Sequence, residues 1–196
     1  EKIRALRGFK QQKGHLFNEA YLEGTDYAAS LVPPLELVKS IIKGYDLLAE
    51  NGIGLIHATE GIGFPKDLDV TLVSLIARAM TKKNRLQTRL FFQTMEVEKV
   101  IKRKLPRVGG CFETAIDGCF GACDAALHEP YSNDPDNKGI LFQTEEEVIE
   151  FAKKANRAGL QIQMHAIGDA AVSRAVKAIE AALIDFPRKD HRHTII

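Results

Sequence analysis

The sequence predicts a parallel α/β fold, a TIM-type βα barrel in preference to an open doubly wound sheet, of which this chain holds a part. Three observations carry that expectation. Helical and strand-like segments alternate at intervals of roughly 30 to 40 residues, the signature of βαβ units. Gly61-Ile-Gly63 is a bare pair lacking the third glycine that an open nucleotide-binding sheet would place in its phosphate loop. The polar residues His57, Asp117 and His165 fall at or near the C-terminal ends of successive strands, where barrels collect their functional groups.

Taken in order, Pro33-Pro34 is a favourable helix start, and Leu35, Val38, Ile42, Tyr45 and Ala49 repeat at helical period until Asn51-Gly52 stops the helix. Residues 53–58 read as a short apolar strand, 68–80 as a helix, 87–93 as a strand, 95–104 as a shorter helix and 111–117 as a strand. A turn-rich stretch then runs to Gln143. Thr144 and Glu147 have capping-box spacing, and Val148, Ile149, Ala152 and Ala155 supply the buried face of a helix that ends at Gly159. Residues 160–166 form the next strand. Asp169 is expected to cap a helix whose inner face is Val172, Val176, Ile179 and Leu183, and residues 193–196 begin a last strand. The chain thus reads as one partial barrel domain over 1–196, with a loop or insertion region at 1–30 and consecutive βα units from 31 onward. Ile56, Ile162 and Met164 are expected to face the barrel interior.

Bulk properties exclude several function classes. Of 196 residues, 45% are hydrophobic and 27% charged, an ordinary globular balance. The formal charge of +1 gives no electrostatic case for nucleic acid or a membrane surface. No apolar run approaches the roughly 20 residues of a membrane span. Three cysteines, an odd number, fit a reducing cytoplasm better than a disulfide framework. The start on Glu1, with no signal-peptide pattern, is expected of an excised segment, a disordered start or a processed chain.

The stretch Met164-His-Ala-Ile-Gly-Asp169 carries most of the chemistry. A His at a strand's lip has a fixed backbone and suits a metal; the competing reading is a buried His satisfied by a neighbouring carbonyl. Asp169 reads as a helix N-cap before a catalytic base, and His57 as a core or supporting residue before a ligand. Cys119 and Cys123, with Cys111 and His128 nearby, have spacing compatible with a small structural zinc site, though free thiols are the preferred reading. The loop over 124–143 is long for a βα connection and either shapes a substrate pocket, with His128 and Tyr131 as its lining, or is a structural Ω-like loop.

Four segments together carry a resemblance. Ala115 to Pro135 (AIDGCFGACDAALHEPYSNDP) resembles the DGSLGSRTAALLEPY-DDP block of one amidohydrolase group, amidohydrolase family 3, with its YtcJ-like and N-substituted formamide deformylase-like enzymes. Gly159 to Asp169 (GLQIQMHAIGD) matches that group's GLQ-x3-HAIGD fifth strand. Arg192 to Ile196 looks like the start of its RH-x3-H sixth strand, and Asn51 to His57 resembles its second. The resemblance covers about residues 30 to 196 and makes the chain look like the central piece, about strands two to six, of a (β/α)8 TIM-type barrel.

What it implies is hydrolysis of a non-peptide C–N bond (amide, formamide or cyclic amide) by water activated on one or two divalent ions, with zinc expected. The implied ligands are an HxH pair on strand one, His on strands five and six, and Asp on strand eight, which would also carry the proton to the leaving nitrogen. Of these only the strand-five His, His165, lies in this chain; His191 and His193 precede the expected strand-six ligand. Glu113 stands where relatives often carry a lysine whose carbamate could bridge two metals. It either replaces that group, signals a mononuclear site, or is a strand residue paired with a nearby cation. Cys123 replaces an arginine of the family block, which leaves whatever that arginine contacts in doubt. The alternative function is a non-catalytic barrel relative that binds a small molecule or regulates. A partial barrel leaves open edges and an uncovered apolar face, so self-association of the segment is expected, with metal bound weakly or not at all.

Overall fold

A computed structural model of the protein describes residues 19–196. It divides into two compact units, one up to Arg89 and one from Leu90 onward. Residues 1–18 of the proposed loop or insertion region lie outside the described residues. The rest of that region differs from expectation: Glu19–Ser30 is a helix, α1.

The first unit continues with α2 (Pro34–Glu50), β1 (Leu55–Glu60), a short 3-10 turn (Pro65–Asp67), α3 (Leu68–Asn84) and the start of β2 (Gln87–Phe92). Pro33 and Pro34 open α2 as the sequence implied. Its end is equally legible. Gly52 takes φ +80°, and the amides of Gly52 and Ile53 bond back to Ala49 and Leu48, a Schellman closure that glycine makes without strain. The inward face of α2 is narrower than expected. Tyr45 packs with Met80 and Leu86, joined by Ile41, Ile42, Ala49 and Ile56, whereas Leu35 is exposed. The Tyr45 hydroxyl, 2.7 Å from Thr88 Oγ1, ties α2 to β2. Burial raises its pKa above the usual phenol value.

The second unit holds the end of β2, α4 (Val97–Lys102), β3 (Arg107–Ala115), a 3-10 turn (Phe120–Ala122), α5 (Glu145–Arg157), β4 (Gln161–His165), α6 (Asp169–Asp185) and β5 (Thr194–Ile195). Its strands are parallel and follow sequence order, with Phe92 opposite Val108, Val108 opposite Ile162, and Met164 opposite Ile195. This is the expected parallel pattern with one early start: β3 begins at Arg107, four residues before Cys111. The register explains why. Gly110 faces Met164 but the next partner, Ala115, faces His165, so residues 111–114 leave the ladder as a bulge. Gly109 lies at φ +110°, and a side chain there would strike the Gln163 carbonyl.

Ile162 and Met164 share one face of β4 and are fully buried, while Gln161, Gln163 and His165 occupy the opposite face. One expectation about a buried face is corrected here. The inner face of α6 is Ala171, Ala175, Ala178 and Ala182, each 0% exposed, while Val176 is 51% exposed. The small side chains let α6 lie close against its neighbours, and of the bulkier stripe one residue on, Val172, Ile179 and Leu183 are half-buried and Val176 is exposed. The capping box of α5 forms as read: Thr144 Oγ1 accepts from the Glu147 amide and the Glu147 carboxylate from the Thr144 amide.

Beside β5 lies a buried polar knot. Asn156, fully buried, donates to the carbonyls of Ala182 and Phe186, and Arg188 donates to the carbonyls of Asn156, Gly159 and Leu160. His193 Nδ1 accepts from the Ile162 amide, so the ring proton sits on Nε2 and is donated to Asn156 Oδ1. Burial, with His191 and Arg188 nearby, pushes the His193 pKa down to about 4. The folded value lies below the unfolded one, so this group's stabilisation is full above about pH 6.5 and drains as pH falls toward 4. His193→Gln should flatten the loss of stability across that window, measured by urea unfolding at several pH values. An unchanged pH profile would detach His193 from the acid limb.

Candidate strand-end site

The C-terminal end of β3 is organised by one side chain. Asp117 is buried, and its carboxylate accepts three backbone amides: Ile167 to Oδ1 at 2.9 Å, Gly168 to Oδ2 at 2.7 Å and Ala126 to Oδ2 at 2.8 Å. Three donors on a carboxylate satisfy its charge without a cation. They tie β3, the following loop and the turn after β4 together. Gly168 is needed for that closeness, since a Cβ there would sit 1.9 Å from the Ala126 carbonyl oxygen. Asp117, noted in the sequence only as a strand-end polar group, is therefore the brace behind the His165 turn.

His165 is the last residue of β4. Its backbone carbonyl accepts the Ile116 amide at 2.9 Å, which fixes the main chain. The half-buried imidazole has no hydrogen-bond partner among the described residues. A ring held at a strand end with both nitrogens uncommitted fits a metal ligand. Among the described residues, no group of three or more His, Cys, Asp or Glu side chains could hold an ion.

Glu113 sits in the β3 bulge and is exposed. Its carboxylate is occupied by the Met95 amide and, at 3.5 Å, by the Thr94 hydroxyl, with Lys99 adding a favourable charge. Partial desolvation still raises its pKa. These partners favour the structural reading of Glu113 over a metal-bridging one. The bulge itself is held by Gln93, fully buried, whose Oε1 accepts the amides of Cys111 at 2.6 Å and Phe112 at 3.0 Å. Sequence reasoning missed Gln93; a lone polar residue after an apolar strand was its only signal.

The loop from Gly118 to Gln143 packs on itself, as an Ω-like loop does. Tyr131 donates its hydroxyl to the Ala125 carbonyl at 2.8 Å and meets Phe120 edge-on at 6.4 Å. The Asn137 side chain donates to the Cys123 carbonyl, and the Leu127 amide to the Lys138 carbonyl. His128 is docked on the start of α6. Its amide donates to Asp169 Oδ1 at 3.0 Å. Ser173 gives its hydroxyl proton to the Asp169 carbonyl, so its oxygen is left to accept from His128 Nε2 at 3.1 Å. Asp169 is thus not the N-cap, which is Gly168. It is the first helical residue, and its carboxylate at the helix's positive end anchors the loop. Cys111, Cys119 and Cys123 are free thiols.

At the end of β1 the strand runs past His57 to Glu60, so Glu60 and not His57 holds the strand-end position. Asp69, 2% exposed, takes the amides of Gly61 and Ile62 on Oδ2, while its Oδ1 has no partner among the described residues. Burial and the neighbouring Asp69 push Glu60 up to about 7. The sequence reading passed over both carboxylates.

Parallel strands in sequence order, with Gln93, Asp117 and His165 at or just past the C-terminal ends of β2, β3 and β4, form a partial (β/α) barrel. Two solved structures share the fold. An uncharacterized metal-dependent hydrolase from Pyrococcus furiosus superposes with a TM-score of 0.69 at 20% identity, over 92% of this chain and 40% of its own. One from Pyrococcus horikoshii OT3 gives 0.65 at 23% identity, over 89% and 36%. The sequence pattern of the Amidohydrolase family matches residues 54–196, and the chain belongs to that family. The Bacillus subtilis (strain 168) amidohydrolase YtcJ is 34% identical over 84 residues, 43% of this chain. The Arabidopsis thaliana protein LONG AFTER FAR-RED 3 is 29% identical over 124 residues, 59% of this chain. The matches span only 15% and 21% of those two relatives. No helix among the described residues is long and apolar enough to cross a membrane.

Proposed function

We propose that the protein is the central barrel segment of a metal-dependent hydrolase that cleaves a non-peptide C–N bond in a small-molecule substrate. The observation that carries this is the braced, uncommitted His165 at the end of β4 in a chain of the Amidohydrolase family. A divalent ion, with zinc the expected metal, would take one His165 nitrogen and supply an activated water. His165 contributes one ligand, and Asp117 holds the turn beneath it. Glu113 belongs to the bulge scaffold unless a second ion recruits it. Tyr131 and His128, both committed to holding the loop, would shape the pocket wall more than touch the reacting bond. Free thiols and a formal net charge of only +1 fit a reducing, cytoplasmic setting without nucleic-acid or membrane partners. The test is to purify the full-length protein, determine its metals by mass spectrometry, and assay N-substituted formamides, cyclic amides, esters and peptides side by side. Metal-dependent turnover of the first two classes is the expected result; turnover of esters or peptides alone would overturn the bond assignment. A metal-free, inactive full-length protein would favour the non-catalytic barrel relative.

The isolated segment should self-associate. Val176, Ile179, Leu183 and Ile184 of α6 line, with Glu180 and Ile195, an open and mostly apolar groove of about 470 Å³, and Ile184 is 75% exposed. A groove of that character beside a two-residue edge strand is covered in a soluble species. Sedimentation velocity on the 196-residue chain should show a dimer or larger, reduced by Ile184→Glu. A monomer at all concentrations would refute it.

A further inference from the structure

The sheet carries a small polar site one pleat below His165. Gln163 and His165 are two residues apart on β4 and so lie on the same face. Gln163 faces Thr194 in register on β5 and Gly109 on β3, so one neighbour brings a hydroxyl and the other no side chain at all. Gln163 is 2% exposed, yet its Oε1 has no hydrogen-bond partner among the described residues, and the same holds for the buried Thr194 Oγ1. A buried carboxamide oxygen without a donor costs on the order of 1–3 kcal/mol. Two such atoms on adjacent strands, beside a glycine and beneath an imidazole with no partner of its own, are complementary. The oxygen needs a donor, the hydroxyl can accept or donate, and the neutral ring has one N–H to give.

We propose that Gln163, with Thr194, is the positioning group for His165: Gln163 Oε1 accepts the ring N–H, directly or through one water shared with the Thr194 hydroxyl. Successive same-face residues on a strand are about 6.6 Å apart, a gap that a glutamine side chain or a single water closes. The bond fixes one neutral tautomer and leaves the other ring nitrogen's lone pair directed out of the strand end, as metal-binding histidines require. The consequence for metal binding rests on the function proposed above; the tautomer does not.

The experiment separates the two. Nitrogen-15 NMR of the metal-free full-length protein at alkaline pH reads the His165 tautomer, and Co2+ titration of the same samples reads metal affinity. Wild type should show a single tautomer. Gln163→Leu should give a mixture and weaken Co2+ binding by about 10- to 100-fold, while Gln163→Glu, which keeps an acceptor oxygen, should retain the single tautomer. Thr194→Val gives a smaller shift in the same direction and covers the case in which Gln163→Leu does not fold. A wild-type single tautomer lost in Gln163→Leu or Thr194→Val, with no Co2+ bound by any sample, would uphold the positioning role and sink the metal reading. A tautomer mixture in wild type, or one tautomer unchanged in both variants, would overturn the proposal whatever the Co2+ result.

Discussion

Asp117→Ala is expected to cost about 3 to 5 kcal/mol of stability, a large share of the roughly 5–15 kcal/mol that holds a domain folded. The variant removes a buried carboxylate and strands three backbone donors, those of Ala126, Ile167 and Gly168. Each unsatisfied amide costs about 1–3 kcal/mol, and local relaxation keeps the sum below the simple total. Asp117→Asn keeps one acceptor oxygen and should fall between wild type and alanine. Urea midpoints read both. A loss below about 1 kcal/mol in the alanine variant would mean that the three segments are held by other contacts.

The second large effect concerns His165. In the full-length protein, His165→Ala should lower divalent-metal content and abolish hydrolysis, a loss greater than the 10- to 100-fold expected from changing a residue behind a ligand. Its stability should fall by no more than about 1–3 kcal/mol, the cost of leaving Gln163 Oε1 without a donor, because the backbone anchor to Ile116 survives the substitution. That pairing of lost metal with a retained fold is diagnostic. Near-normal metal content would return His165 to the core-histidine reading.

Helix ends were legible because their chemistry is local. The capping box of α5 and the closures at Gly52 and Gly159 each involve residues within five positions of one another. The inward stripe of α6 was misread by one residue. Ala171, Ala175, Ala178 and Ala182 have the same spacing as Val172, Val176, Ile179 and Leu183, and hydrophobicity alone prefers the larger side chains. Periodicity finds a stripe but does not rank two neighbouring ones when close packing rewards the smaller. At the site, position was readable and role was not. His165 stands at its strand end as expected, but Asp117 brace and Gln93 brace act through amides far away in sequence. Glu60 was missed because β1 extends past His57, and strand ends are fixed by pairing rather than composition.

The Asp117 brace also sets a schedule. Two of its three donors lie 50 and 51 residues downstream. A ribosome adding about 5–20 residues per second needs roughly 3 to 10 seconds to make that stretch. For that interval a nascent chain carries a carboxylate with one partner out of three, a β3 strand without its β4 neighbour, and a loop that has nothing to close against. The loop and both strands must therefore mature together, after residue 168 emerges, and anything that shields the unfinished strand edge during the wait will govern how much protein reaches the folded state.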